Sequence, residues 1–332
     1  MVTLTNKRGL PKSIVSAIEL YSSKYHRGDA DISMTQLIDA PKIKILKEEY
    51  ADKLEEDVSE VIWRVFGNAV HKLFEDSDKD KNTILEKRFF GKCNGWTVSG
   101  AIDKLKVITE LVEGKWEADQ QLLPIKKATI YDYKCVSTWQ IFKNTYHPKG
   151  YKDEWENQLN GYAWLLRQNG YVVEGARIIA LARDWQKSKA WFESEKEGYD
   201  PDIDYPDVQI KVIAIRLWSN EKQDEYMRSR VETHQQADQL FHTQKIQVDC
   251  TDKEIWKDPS KFAVMKKGKK RALKLFDDRE DAQDHAKNFK DTSIEIRPSV
   301  ARRCASYCNV VNFCEQGRRE RNGLQSTHQA NA

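Results

Sequence analysis

In Thr129-Ile-Tyr-Asp132-Tyr133-Lys134-Cys135 an acid and an amine stand two residues apart, and on a strand such side chains share a face. The same spacing recurs in Glu113-Gly-Lys115, in a polar stretch without an apolar lead-in, so spacing alone selects neither. Asp132 and Lys134 stand out by their company. Ser99-Gly-Ala-Ile-Asp103 closes the preceding strand-like run, and His71 lies upstream. Gln158 and Tyr162, four apart, face the same way on the following helix. Taken singly these are ordinary residues: an ion pair contributing about 0–1 kcal/mol, a helix-edge histidine, a turn aspartate, a core tyrosine. A second constellation is Cys304-x-x-x-Cys308-x-x-x-x-x-Cys314. Three thiols so close together ask for a metal, and their spacing suits an irregular cluster site better than a zinc ribbon, whose cysteines pair two to four residues apart.

These side chains need elements to hold them. Val58, Val61, Ile62, Val65, Phe66, Ala69, Val70, Leu73 and Phe74 recur at three-four spacing, which predicts a helix with one core face and His71 at its edge. Three strand-like runs follow, 84–90, 96–108 and 128–135, as a meander. Next come a helix from Asp153 to Gln168 ended by Gly170, two buried strands at 176–182 and 208–218, and a long polar helix capped by Ser219. The first 50 residues read as helical, with Pro11 opening one segment and Ser33 capping another. Residues 260–297 read as a small strand-strand-helix-strand insertion. Its hairpin carries Lys261, Lys266, Lys267, Lys269, Lys270, Arg271 and Lys274 without an acid, an edge suited to phosphate.

Composition narrows the class further. The chain has 332 residues, and 55 Lys+Arg against 52 Asp+Glu leave a net charge of +3, too balanced to name a nucleic-acid partner by itself. With 39% hydrophobic residues it can bury a real core. The start lacks the apolar block of a secretory signal, so a cytoplasmic location without a membrane partner is expected, in a bacterial cell or phage-infected host. Asp76-Ser-Asp-Lys-Asp-Lys imitates a calcium loop, but Lys81 and Lys87 occupy the positions that require Gly and the bidentate Glu. No phosphate-loop, dinucleotide, zincin or serine-hydrolase motif occurs.

In order and spacing, Gly67-Asn-Ala-Val-His71, Ser99-Gly-Ala-Ile-Asp103, Asp132-Tyr-Lys134 and Gln158-x-x-x-Tyr162 resemble the motifs of the RecB-like branch of the PD-(D/E)XK nuclease superfamily. The likeness covers about residues 60–185. It implies an α/β (α+β) restriction-endonuclease-like core with a mixed central sheet flanked by helices. It also implies a metal-dependent DNA nuclease, with Asp103, Asp132, Lys134, Gln158 and Tyr162 catalytic. His71, Asp103, Asp132 and the Tyr133 carbonyl would hold Mg²⁺ or Mn²⁺, and Lys134 would orient water or offset phosphorane charge.

The cysteines resemble those of iron-sulfur members, such as the AddB type and CRISPR adaptation nucleases, which join one distant Cys to a C-terminal trio around a [4Fe-4S] cluster. In many of them the distant Cys lies in a stretch like Leu37-Ile-Asp-Ala40-Pro-Lys, where this chain has Ala40. Cys250 is the best substitute, giving Cys250, Cys304, Cys308 and Cys314 as ligands, with Zn²⁺ the alternative occupant. Cys93 and Cys135 read as buried thiols. The expected organisation is a helical region 1–55, a nuclease core 56–245, a cysteine region 246–320 containing the basic insertion, and a disordered tail 321–332. The expected function is a phage or bacterial exonuclease of recombination, repair or replication, acting on single strands or duplex ends, with any helicase, recombinase or single-strand-binding protein a separate chain. The alternative is a non-catalytic DNA-binding module, of a recombination or CRISPR-like complex, that keeps the fold.

Overall fold

A computed structural model describes residues 3–22, 27–113, 122–144 and 146–330. In chain order the elements used below are α1 (Lys12–Ser22), β1 (Ile32–Ser33), α2 (Pro41–Glu49), α3 (Ile62–Ser77), β2 (Thr83–Cys93), β3 (Trp96–Glu113), β4 (Leu122–Val136), α4 (Asp153–Gln168), β5 (Tyr171–Ala182), β6 (Ile210–Ala214) and α5 (Asn220–Gln244). They continue with β7 (Lys261–Lys266), β8 (Lys274–Phe276), α6 (Arg279–Ala286), β9 (Thr292–Arg297) and α7 (Glu315–Ala330). The chain divides into two compact units, one of residues 4–38 with 56–235, the other built from 39–55 and 236 onward. The stretch 1–55, read as one helical region, is thus shared between them.

The first unit is a mixed six-stranded sheet in the order β1-β3-β4-β5-β6, with β2 on the free flank of β3. β2, β3 and β4 form the expected antiparallel meander, β5 runs parallel to β4, and β6 returns antiparallel. The parallel step is made by α4, whose Trp155, Leu159, Tyr162, Leu165 and Leu166 are buried against the sheet. Gly100 on β3 permits that approach, because a methyl there would stand 2.7 Å from the Tyr162 ring. Ser33 caps the short helix Met34–Leu37 through a capping box with Gln36. α5 begins at Asn220, where Ser219 Oγ accepts from the Lys222 N–H at 3.3 Å. The α+β class with a central mixed sheet flanked by helices is as expected.

Helix α3 corrects one expectation. It has the predicted apolar stripe but no buried residue, and Trp63, Phe66 and Leu73 are more than half exposed. Its cover comes from α1 and from Tyr133, whose ring lies 4.7 Å from that of Phe74. Periodicity shows that a helix has an apolar face, whereas burial depends on what lies against that face.

In the second unit β7 pairs antiparallel with β8 and β9, and α6 packs on them, which is the strand-strand-helix-strand insertion. Its turn is at Gly268 (φ +78°), and Lys266, Lys267, Lys269, Lys270 and Arg271 are exposed. The stretch expected to be a disordered tail, 321–332, is helical through Ala330 in α7, which starts directly after Cys314 and contains no proline, though it carries Gly317 and Gly323. Residues 331–332 lie outside the described residues. No described helix is long and apolar enough to cross a membrane.

Candidate functional site

β3 and β4 part at the residues that carry the chemistry. β2 pairs along one flank of β3 from Trp96 to Lys106. On the other flank β1 pairs only at Val98 and Ser99, and β4 only from Lys104, opposite Tyr131, to Glu113. Among the described residues, 100–103, the end of the Ser-Gly-Ala-Ile-Asp motif, therefore have no strand beside them on that flank. The first positions beyond the ladder are Asp103 and Asp132. Backbone groups freed by the fork are taken up by site side chains: the Tyr133 N–H donates to Asp103 Oδ2 at 2.8 Å. With Nε2 protonated, His71 donates to the Tyr133 carbonyl at 2.9 Å.

The pairing also lapses on the β2 flank. Leu85 pairs with Lys104 and Lys87 with Ile102, and between them Glu86 stands across from Asp103 with φ +46°. That left-handed conformation costs a side-chain-bearing residue about 1–2 kcal/mol, so the surrounding structure holds it there. The ligand atoms of His71, Glu86 and Asp103 all lie within 4.8 Å of one another. His71 Nδ1 is 3.5 Å from Asp103 Oδ2 and 3.9 Å from Glu86 Oε1.

Electrostatics make this a site in want of a cation. Burial and the Asp132 charge push the Asp103 carboxyl well above its ordinary pKa. Burial, Glu75 and Asp132 raise Glu86. Burial holds His71 below the usual imidazole value, leaving Nδ1 unprotonated toward the acids. Lys134 Nζ is 2.6 Å from Asp132 Oδ2. Burial works against its charge, but Asp132 and Asp103 outweigh this and raise its pKa. Asp132 is buried, and the Lys134 ammonium is the charge set against its Oδ2. Three carboxylates against one ammonium leave two negative charges when all are ionised. Oxygen donors with one imidazole suit a hard divalent ion such as Mg²⁺ or Mn²⁺.

No family model and no curated protein matches the chain. Among solved structures it is similar to SSO0001, at 14% identity and a TM-score of 0.40 over 67% of this chain and 83% of that one. It is also similar to a phage-related exonuclease from Haemophilus somnus 129PT, at 15% identity and a TM-score of 0.24 over 69% and 80% of the two chains. At these values neither likeness bears on what the chain does.

The fold brings His71, Asp103, Tyr133, Asp132 and Lys134 to one fork, but it groups them differently from the expected ligand set. Glu86 joins His71 and Asp103, while Asp132 is outside that trio and paired with Lys134. Sequence reasoning missed Glu86, which sits in no motif; only the register placing it across from Asp103 would have found it. Gln158 and Tyr162 are buried on α4, Nε2 of the first donating to Oη of the second at 2.8 Å. Of the competing Glu113-Gly-Lys115, Lys115 lies outside the described residues.

In the second unit Cys250, Cys304, Cys308 and Cys314 line one cavity. Ala40, where many iron-sulfur relatives carry their distant Cys, is packed in the same cluster as Cys314, against Cys250 and Cys308. Gln316 fixes Cys250 from both sides, accepting from its N–H at 2.8 Å and donating to its carbonyl at 2.9 Å. Burial pushes Cys250 up to about 12 and Cys304 up to about 11, so without a metal these groups are thiols. Asp39, just before Ala40, takes both arms of Arg303 at 2.7 Å. Cys93 is buried, as expected, and Cys135 is partly so.

Proposed function

We propose that the chain is a metal-dependent DNA nuclease, hydrolysing phosphodiester bonds as an exonuclease of phage or bacterial DNA metabolism. The observation that carries this reading is the fork at Asp103. Two strands separate and a third distorts at Glu86 so that Glu86, Asp103, Asp132, His71 and Lys134 converge. A structural ion pair needs no such opening of a sheet. The non-catalytic alternative gives no reason to hold a strained glutamate beside two further acids.

His71, Glu86 and Asp103 would hold the cation, with Asp132 and the Tyr133 carbonyl at its border. Bound there, a divalent ion polarises a phosphate oxygen and acidifies a water. The chain's own groups do the rest. Lys134, kept charged by Asp132, stands where it can hold the attacking water or offset the charge growing on the phosphate oxygens. His71 holds the Tyr133 carbonyl with one nitrogen and keeps the other free of a proton. Gln158 and Tyr162, buried on α4 and bonded to each other, would support the site from beneath rather than touch the substrate. In the second unit we assign the four thiols to a [4Fe-4S] cluster. The support is that all four line one cavity, with Zn²⁺ the alternative occupant.

The test is end-labelled single- and double-stranded DNA incubated with purified protein in EDTA, Mg²⁺ or Mn²⁺. Cleavage with the metals and none in EDTA is expected. DNA intact under all three conditions would leave the binding-module alternative.

A further inference from the structure

Two exposed rings stand on α3, the helix that carries His71. At a rise of about 1.5 Å and a turn of about 100° per residue, Phe66 lies roughly 8 Å and Trp63 roughly 12 Å back along the axis, Trp63 about 80° and Phe66 about 140° around it from His71, so it is Trp63 that faces nearer the site. The two rings are 5.6 Å apart and are 54% and 56% exposed. Over the Trp63 ring, 4.5 Å from its centre, lies the Arg183 guanidinium, which also donates to Ser137 Oγ at 3.0 Å. The Arg183 N–H bonds to the Val136 carbonyl at 2.9 Å. This anchors the pair at the end of β4, two and three residues past Lys134.

Arg183 and the nearby Lys152 feel one acid each, Asp184 and Glu154, but among the described residues neither closes an ion pair with it. Burial pushes the Lys152 pKa down, Glu154 opposing it and Arg183 and Lys134 adding to it as like-charged neighbours. A purely apolar stripe would fit a protein partner equally well. Unpaired cations beside open aromatic faces fit a chain with flat apolar groups and a phosphate at every repeat. In a duplex the base faces are already stacked on each other, so only an unpaired strand can offer them.

We propose that Trp63, Phe66 and Arg183 form a stacking platform for unpaired bases, along which a single strand enters the fork at Asp103 and Lys134 while Arg183 and Lys152 take its phosphates. The proposal rests on the nuclease reading above and narrows its substrate to single strands and frayed ends.

The full-length protein in EDTA, titrated with a labelled oligothymidylate and with a blunt hairpin duplex, tests it. Trp63→Ala/Phe66→Ala should weaken single-strand binding roughly tenfold per ring, change duplex binding less than twofold, and leave the salt slope unaltered. Arg183→Gln should lower the slope by about one unit. Hydrolysis of bis-p-nitrophenyl phosphate with Mn²⁺, which needs no platform, should match wild type in all variants. Unchanged oligothymidylate affinity, or equal losses on both DNAs, would overturn the platform and leave the stripe to a protein partner. Wild type inert toward both DNA and the small diester would instead refute the nuclease reading.

Discussion

Glu86→Gln removes one carboxylate from the fork without changing its size, and the metal-free and metal-bound proteins should respond in opposite directions. The ligand atoms of Glu86 and Asp103 lie within 4.8 Å. Two ionised carboxylates at that separation repel by about 3.5 kcal/mol at an effective dielectric near 20, and about 1 kcal/mol if fully screened. Glu86 is 37% exposed, so a gain of about 1–2 kcal/mol is expected in EDTA at pH 8. Both acids have raised pKa values. Their ionisation therefore destabilises the fold above the ordinary carboxylate range, and the cost vanishes as pH falls through the raised values. The gain should accordingly disappear toward pH 4. Mn²⁺ should reverse the order, because wild type keeps a ligand that the variant has lost. Thermal melts with EDTA and with saturating Mn²⁺, at pH 8 and pH 4, give all four values. A variant less stable than wild type in EDTA, with an unchanged Mn²⁺ increment, would show that Glu86 is not part of a cation site.

Anaerobically purified protein should be brown, and Cys250→Ser should remove the colour and lower stability as loss of a structural metal does; colourless protein with one equivalent of zinc would decide for zinc. Asp39→Ala should destabilise the protein by about 2–3 kcal/mol in urea melts, since it strands the Arg303 guanidinium in a pair that is partly exposed. Although burial alone would raise the Asp39 pKa, Arg303 holds it below the usual value, so this contribution is present above about pH 4 and lost as pH falls through the depressed value. Changing Lys266, Lys267, Lys269 and Lys270 together to Gln should weaken binding to long DNA and reduce the salt slope by roughly three units; an unchanged slope would remove the hairpin from the DNA path.

Much of this was legible because local rules agreed with one another. Ser33 and Gln36 spell a capping box, Gly170 ends α4, and the alternation of Ala128, Ile130 and Asp132 marks a strand with one buried face. The Asp103 motif was legible as a pattern, but its physical meaning was not. Residues 100–103 matter because, among the described residues, no strand pairs with them on one flank, and pairing is a property of the sheet rather than of any one strand. Glu86 escaped for the same reason. Phe66 and Leu73 were misread as core because their spacing fits burial and exposure equally. Cys250 was proposed as a fourth ligand because position 40 holds no cysteine, and Ala40 belongs to the same apolar cluster as Cys314.

The most direct test of the central claim is single-turnover cleavage with DNA bound at saturation, comparing wild type with Asp132→Ala and Lys134→Ala in Mg²⁺ and in Mn²⁺. Both variants should bind DNA nearly as well as wild type and cut it at least about a hundredfold more slowly, because what they lose is contact with the metal and the transition state. Cleavage by Asp132→Ala at the wild-type rate would contradict the account.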